Sequence, residues 1–139
     1  MAYCTKTDII GQITEDKLIG LTDDVGSGTV DDARVDEAVA AADALIDGYC
    51  GGRYSVPFSP VPVIIKSCSV DLTVYNLYAR RLGAPEDWKE RRGNAVKLLE
   101  SISTGRVTLG ANAPAQANSE APEFESQDKV FGRDRMKGF

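Results

Sequence analysis

The sequence predicts a small, mainly α-helical domain, and three observations carry that prediction. Apolar residues recur at helical spacing over three long segments, each bounded by a residue suited to helix starts. The chain of 139 residues is 42% hydrophobic, enough for one core and too short for two. Proline, alanine, serine and glutamate replace large apolar residues after Gly110, so the folded part is expected to end there.

The first elements are two short helical turns within 5–21. Thr5 or Thr7 is placed to cap the first and Thr14 the second, with Glu15 and Asp16 in the turn where the helix dipole favours acids. Residues 22–30 read as a loop. A strong helix is expected over 32–49, capped by Asp31. Val35, Ala38, Val39, Ala42, Leu45, Ile46 and Tyr49 form its apolar stripe, and Asp36, Glu37, Asp43 and Asp47 are assigned to the solvent side. Gly51 and Gly52 are expected to end it in the left-handed conformation.

Pro57 and Pro60 mark 53–61 as an extended connector. Pro62 then opens a helix over 62–82 that is apolar on two sides, fitting either a central core helix or one shared with a partner. A third helix is expected over 85–103, with Gly93 inside it as a candidate close crossing, followed by a short extended segment near 106–109. The expected organisation is therefore a helical domain over 1–110, a flexible linker over 111–128 and a docking segment over 129–139. That last segment, KVFGRDRMKGF, offers Phe131, Arg133, Met136 and Phe139 as anchors for a partner groove.

Charge and composition restrict function. Net charge is −5 overall, but residues 1–50 hold eleven acidic and three basic residues. An acidic front half opposes sequence-specific DNA binding, which draws much of its affinity from phosphate neutralisation. It would suit a surface that lets DNA pass without adhering. Histidine is absent, which removes the commonest general base and metal ligand. Cys4, Cys50 and Cys68 lack metal or redox spacing and are expected to be reduced and buried. Asp23, Asp24, Gly26 and Gly28 fall short of a calcium loop, the glycine-rich VGSGTV run lacks the lysine of a phosphate loop, and Glu86, Asp87 and Glu90 are explained by a helix start. No catalytic residue, cofactor or metal is expected, nor any membrane span, and the protein is not expected to be an enzyme.

Arg53 and Tyr54 follow the double glycine. They are expected either to pair with a helix end and cover the core or, with Phe58, to form a subunit contact, since Arg and Tyr are favoured at interface hot spots.

Several short pieces then occur in a specific order: Tyr3 with Thr7-Asp8-Ile9, Leu21-Thr22-Asp23, Ile46-Asp47-Gly48-Tyr49, Gly52-Arg53-Tyr54, Val56-Pro57, Val61-Pro62, Leu77-Tyr78 and Leu98-Leu99. Gly105-Val107-Leu109-Gly110 and the tail Phe131, Arg133, Asp134, Met136, Gly138 and Phe139 complete the series. In this order the chain resembles the Mu-like prophage proteins catalogued as a domain of unknown function and placed with the head–tail connectors of tailed phages. It departs from that pattern at Cys50 and Gly51. The resemblance implies a homo-oligomeric ring, often of twelve copies, beneath the portal protein, contacting the portal and the next connector or tail protein. Genome DNA would pass the lumen without sequence-specific binding. The expected location is the virion, after assembly in the bacterial host cytoplasm. The competing expectation is a small phage or host regulatory module with a docking tail, absent from the particle.

Overall fold

The structure, a computed structural model, describes residues 2–81 and 83–110. Five helices follow in order: α1 (Lys6–Ile13), α2 (Glu15–Thr22), α3 (Asp32–Cys50), α4 (Val63–Ala79) and α5 (Glu86–Ser103). The fold is all-α, as the periodicity predicts.

Local chemistry sets most helix starts. Thr5 and Asp8 form a reciprocal capping box at α1, with the Thr5 N–H donating to the Asp8 carboxylate at 2.9 Å. Thr14 is the sole residue between α1 and α2 and caps α2 at φ 76°, ψ 158°. The Asp31 carboxylate accepts the Ala33 N–H at 3.0 Å and starts α3. Pro62 and Pro85 precede α4 and α5. At the far end of α5, Gly105 takes φ 86°, its N–H donates to the Ile102 carbonyl, and the Arg106 N–H reaches back to the Ser101 carbonyl. This is a Schellman closure, which needs the left-handed conformation glycine adopts cheaply.

α3 and α4 run antiparallel, and their pairings show it: Asp43 meets Ser69, and Ala38 meets Asn76. Each helix serves two core clusters. The first cluster takes Ala42, Ile46 and Cys50 from α3, Ile65, Cys68 and Leu72 from α4, and Ala95, Leu99 and Ile102 from α5. The second takes Val35, Ala38 and Val39 from α3 and Val70, Val74 and Leu77 from α4, and the α1–α2 hairpin closes it with Ile9, Ile13, Leu18 and Leu21. The two-sided apolar character of α4 is thereby explained: it is the central core helix, and α1 and α2 cover the face that a partner could otherwise have taken. Val63, at the start of α4, is the exception and stays 83% exposed.

Four expectations are corrected. Gly51 ends α3 at φ −63°, not in the left-handed region. A Cβ there would lie 2.9 Å from the Asp47 carbonyl, so crowding at the helix end is the constraint. Gly93 has open space where a Cβ would point, so no helix crosses it closely. No strand forms at 106–109 or elsewhere among the described residues; Val107 and Leu109 fold back onto the first cluster instead. α4 ends at Ala79, before the expected Leu82, which lies outside the described residues.

Candidate functional site

Two surfaces meet at the connector between α3 and α4. The connector bends rather than running extended, and the bends turn its aromatic residues inward. Phe58 is fully buried and Tyr54 is 7% exposed. Their rings lie 6.0 Å apart, and the Phe58 ring lies 5.8 Å from that of Tyr3. Of the two readings of this segment, burial of Tyr54 matches the one in which it covers the core, and Phe58 is buried beside it. The Tyr54 hydroxyl accepts the Leu109 N–H at 3.1 Å and ties down the end of the described chain. Arg53 is exposed, as are Ser55, Pro57, Ser59 and Pro60, and it is the connector's charged side chain. Its guanidinium lies about where a Cβ on Gly105 would reach, 3.0 Å from that point, beside the C-terminal end of α5. It has no carboxylate partner among the described residues. Phe131, Arg133, Met136 and Phe139, like the whole expected linker and docking segment, lie outside the described residues.

A polar network that no local sequence pattern encodes lies under the connector. Asp43, assigned to the solvent side of α3, is 8% exposed. Its carboxylate accepts the Tyr3 N–H at 2.9 Å and the Ser69 hydroxyl at 2.7 Å. The Tyr3 hydroxyl donates to Asp47 and accepts the Phe58 N–H at 3.0 Å. Burial raises the Asp43 carboxyl above its ordinary range, against the lowering effect of these donors. Burial also raises the Tyr3 phenol, and its bond to Asp47 adds to that. Cys4 sits 3.2 Å from the Ser69 hydroxyl, and all three cysteines are reduced and buried. Burial pushes the Cys50 and Cys68 thiols up to about 11, so neither resembles an activated nucleophile.

Beside this network a groove of about 430 Å³ runs along the outer face of α3. Asp36, Asp43 and Asp47 stand along it, Val39, Ala40 and Ala44 form its floor, and Pro57 is its far rim. A second depression of about 300 Å³ lies between α1, α4 and α5, but its charges are matched. Lys66 faces Asp8 at 3.3 Å, and Arg91 faces Asp71 at 3.6 Å while stacking over Trp88.

The acids of the 23–30 loop are also occupied. Asp23 accepts the N–H groups of Gly28 at 2.7 Å and Ser27 at 2.9 Å, and those bonds lower its pKa. Asp24 is held low first by its bond from Arg80, then by the charges of Arg81 and Arg34. Arg34 contributes an ion pair at 3.5 Å without a hydrogen bond from its Nε. Asp23 thus closes the loop on itself, while Asp24 fastens it to the end of α4, where Arg80 also donates to the Leu21 carbonyl. Among the described residues no helix is long and apolar enough to cross a membrane.

Comparison with known proteins fits this helical unit. The chain is 31% identical over 144 aligned positions to gene product J of Escherichia phage Mu, covering all of this chain and 99% of that protein. It is 29% identical over 113 residues to the Mu-like prophage FluMu protein gp36 of Haemophilus influenzae, covering 80% of this chain and 79% of that one. The family model described as Bacteriophage Mu, Gp36 matches residues 3–128, spanning both core clusters and the connector. The chain therefore belongs to the bacteriophage Mu Gp36 family.

Proposed function

We propose that this protein is a structural, non-catalytic head–tail connector of a tailed phage. It assembles as a ring beneath the portal, meets the next connector or tail protein below, and resides in the virion after assembly in the host cytoplasm. Genome DNA passes through the ring without sequence-specific contact.

The observation that carries this reading is the end-to-end alignment with a phage Mu protein within a phage Mu family. Two features support it. The exposed side of α3 is acidic and small-residued, suiting a surface past which DNA must move without adhering. Arg53 is exposed and without a carboxylate partner among the described residues, the condition of a cation left for another subunit.

Mass spectrometry of purified particles tests the proposal. The expected result is the protein in multiple copies per particle, with filled heads and free tails accumulating when its gene is deleted. Its absence from particles would sink the connector reading and favour a regulatory module.

A further inference from the structure

Most acids facing other elements of this fold have a local cation. Asp8 faces Lys66, Asp24 faces three arginines, Asp32 faces Lys6 and Asp71 faces Arg91. The α3 groove is different. None of its lining residues is basic, and Asp36 forms no hydrogen bond or ion pair among the described residues. Asp43 and Asp47 accept from Tyr3 and Ser69, which are neutral donors, and the cations acting on the groove acids are Lys6, itself bonded to Asp32, and the terminal amine, neither of which forms an ion pair with them among the described residues. Between the carboxylates, Val39, Ala40 and Ala44 provide a floor with room above it for larger apolar side chains.

The complementary chemistry lies at the end of the same chain. Residues 129–139 contain Lys129, Arg133, Arg135 and Lys137 against the single acid Asp134, interspersed with Phe131, Met136 and Phe139. The route is short. Leu109 is bonded to Tyr54, the Tyr54 ring is 6.0 Å from Phe58, and Pro57, the neighbour of Phe58, is the rim of the groove. A linker with the length and composition of 111–128 has a mean span of roughly 20–25 Å, more than the two aromatic rings that separate Leu109 from that rim. Tethering at such a length supplies a local concentration on the order of millimolar, well above any second copy in dilute solution.

We propose that residues 129–139 dock in the α3 groove of their own chain, with basic side chains against the Asp36 and Asp47 side and aromatic side chains on the alanine floor. This goes beyond the connector reading and does not depend on it. The groove holds the segment until a stronger partner competes for it.

The test uses the full-length chain and amide NMR. In one variant the tail charges are reversed by Lys129→Glu, Arg133→Glu, Arg135→Glu and Lys137→Glu. In another the groove is reversed by Asp36→Lys with Ala40→Lys, two exposed positions where lysine suits a helix. The expected result is that resonances of residues 36–48 move when the tail is reversed and move alike when the groove is reversed. Combining both reversals should restore the docked positions. The native shifts should be independent of protein concentration and collapse near 1 M salt, where the screening length falls to about 3 Å. If residues 36–48 have the same resonances with native and reversed tails, the proposal is overturned. Shifts that grow with protein concentration would assign the groove to the tail of a second copy and overturn same-chain docking. Should the groove variant misfold, the tail comparison alone still decides.

Discussion

The hydroxyl of Tyr3 donates to Asp47 on α3, forty-four residues away in sequence, and accepts the backbone N–H of Phe58 at 3.0 Å. One phenol thus joins the N-terminal segment, the last turns of α3 and the connector. Tyr3→Phe keeps the ring against Phe58 but strands a buried N–H. The expected loss is about 1–3 kcal/mol, measured by urea unfolding, the range for leaving a buried donor unpaired. Tyr54→Phe, which frees the partly buried Leu109 N–H, should cost less. Equal stability of Tyr3→Phe and wild type would mean that the phenol is not a structural tie.

Asp43 makes stability depend on pH in a definite direction. Burial raises its carboxyl above the ordinary 3.8. An acid raised on folding binds protons more tightly in the folded state, so its contribution is full below the unfolded value and is lost as pH rises through the folded one. Relative to Asp43→Asn, the wild type should therefore lose stability as pH rises from about 4 toward neutrality. Asp23 and Asp24, which are lowered, act oppositely and lose their contribution as pH falls through their folded values. They are common to both proteins and cancel in the difference. A stability difference between the two proteins that stays flat over that range would contradict this account.

The same residue shows where sequence reasoning stops. Thr5, Thr14, Asp31, Pro62 and Pro85 mark helix starts because capping is decided within a few residues, and all of these starts are legible. Asp43 stands at the edge of an apolar stripe, and its partners Tyr3 and Ser69 lie forty and twenty-six residues away. No local pattern encodes such pairs. The inward turn of the connector is illegible for a related reason. Prolines and a nearby glycine pair resemble surface chain, and only the packing of Phe58 on Tyr3 and Tyr54 reveals an inward turn. The acidic count of the first fifty residues was visible, but the groove on α3 required knowing which acids lack a cation.

Thr14 stores strain at the α1–α2 junction. Its φ of 76° with ψ of 158° is a region that glycine enters freely and a β-branched residue does not. That conformation costs on the order of 1–3 kcal/mol. Its capping bond to the Lys17 N–H is long, at 3.5 Å. Glycine at a helix N-cap is only a few tenths of a kcal/mol worse than threonine, and its greater freedom when unfolded costs about 0.5–1 kcal/mol. Thr14→Gly should thus stabilise the protein, by about 1 kcal/mol, seen as a raised urea midpoint with an unchanged slope. A lowered midpoint would show that the cap outweighs the strain.

Arg53 and Phe58 separate assembly from folding within one connector. Phe58 is fully buried between Tyr3 and Tyr54, so Phe58→Ala removes a whole ring from the core and should cost about 3–5 kcal/mol. Arg53 is exposed, and its guanidinium rests beside Gly105 without a carboxylate. Arg53→Ala should change stability by no more than about 0.5 kcal/mol, the ordinary range for a surface position. If Arg53 engages a neighbouring subunit, the same variant should fail to complement a gene deletion, because an arginine at an interface hot spot typically contributes 2 kcal/mol or more. The informative pair of measurements is the thermal midpoint and the yield of infectious particles. Normal yield with Arg53→Ala would remove Arg53 from the subunit contact, whereas a normal midpoint with lost yield would place a neighbour directly on it.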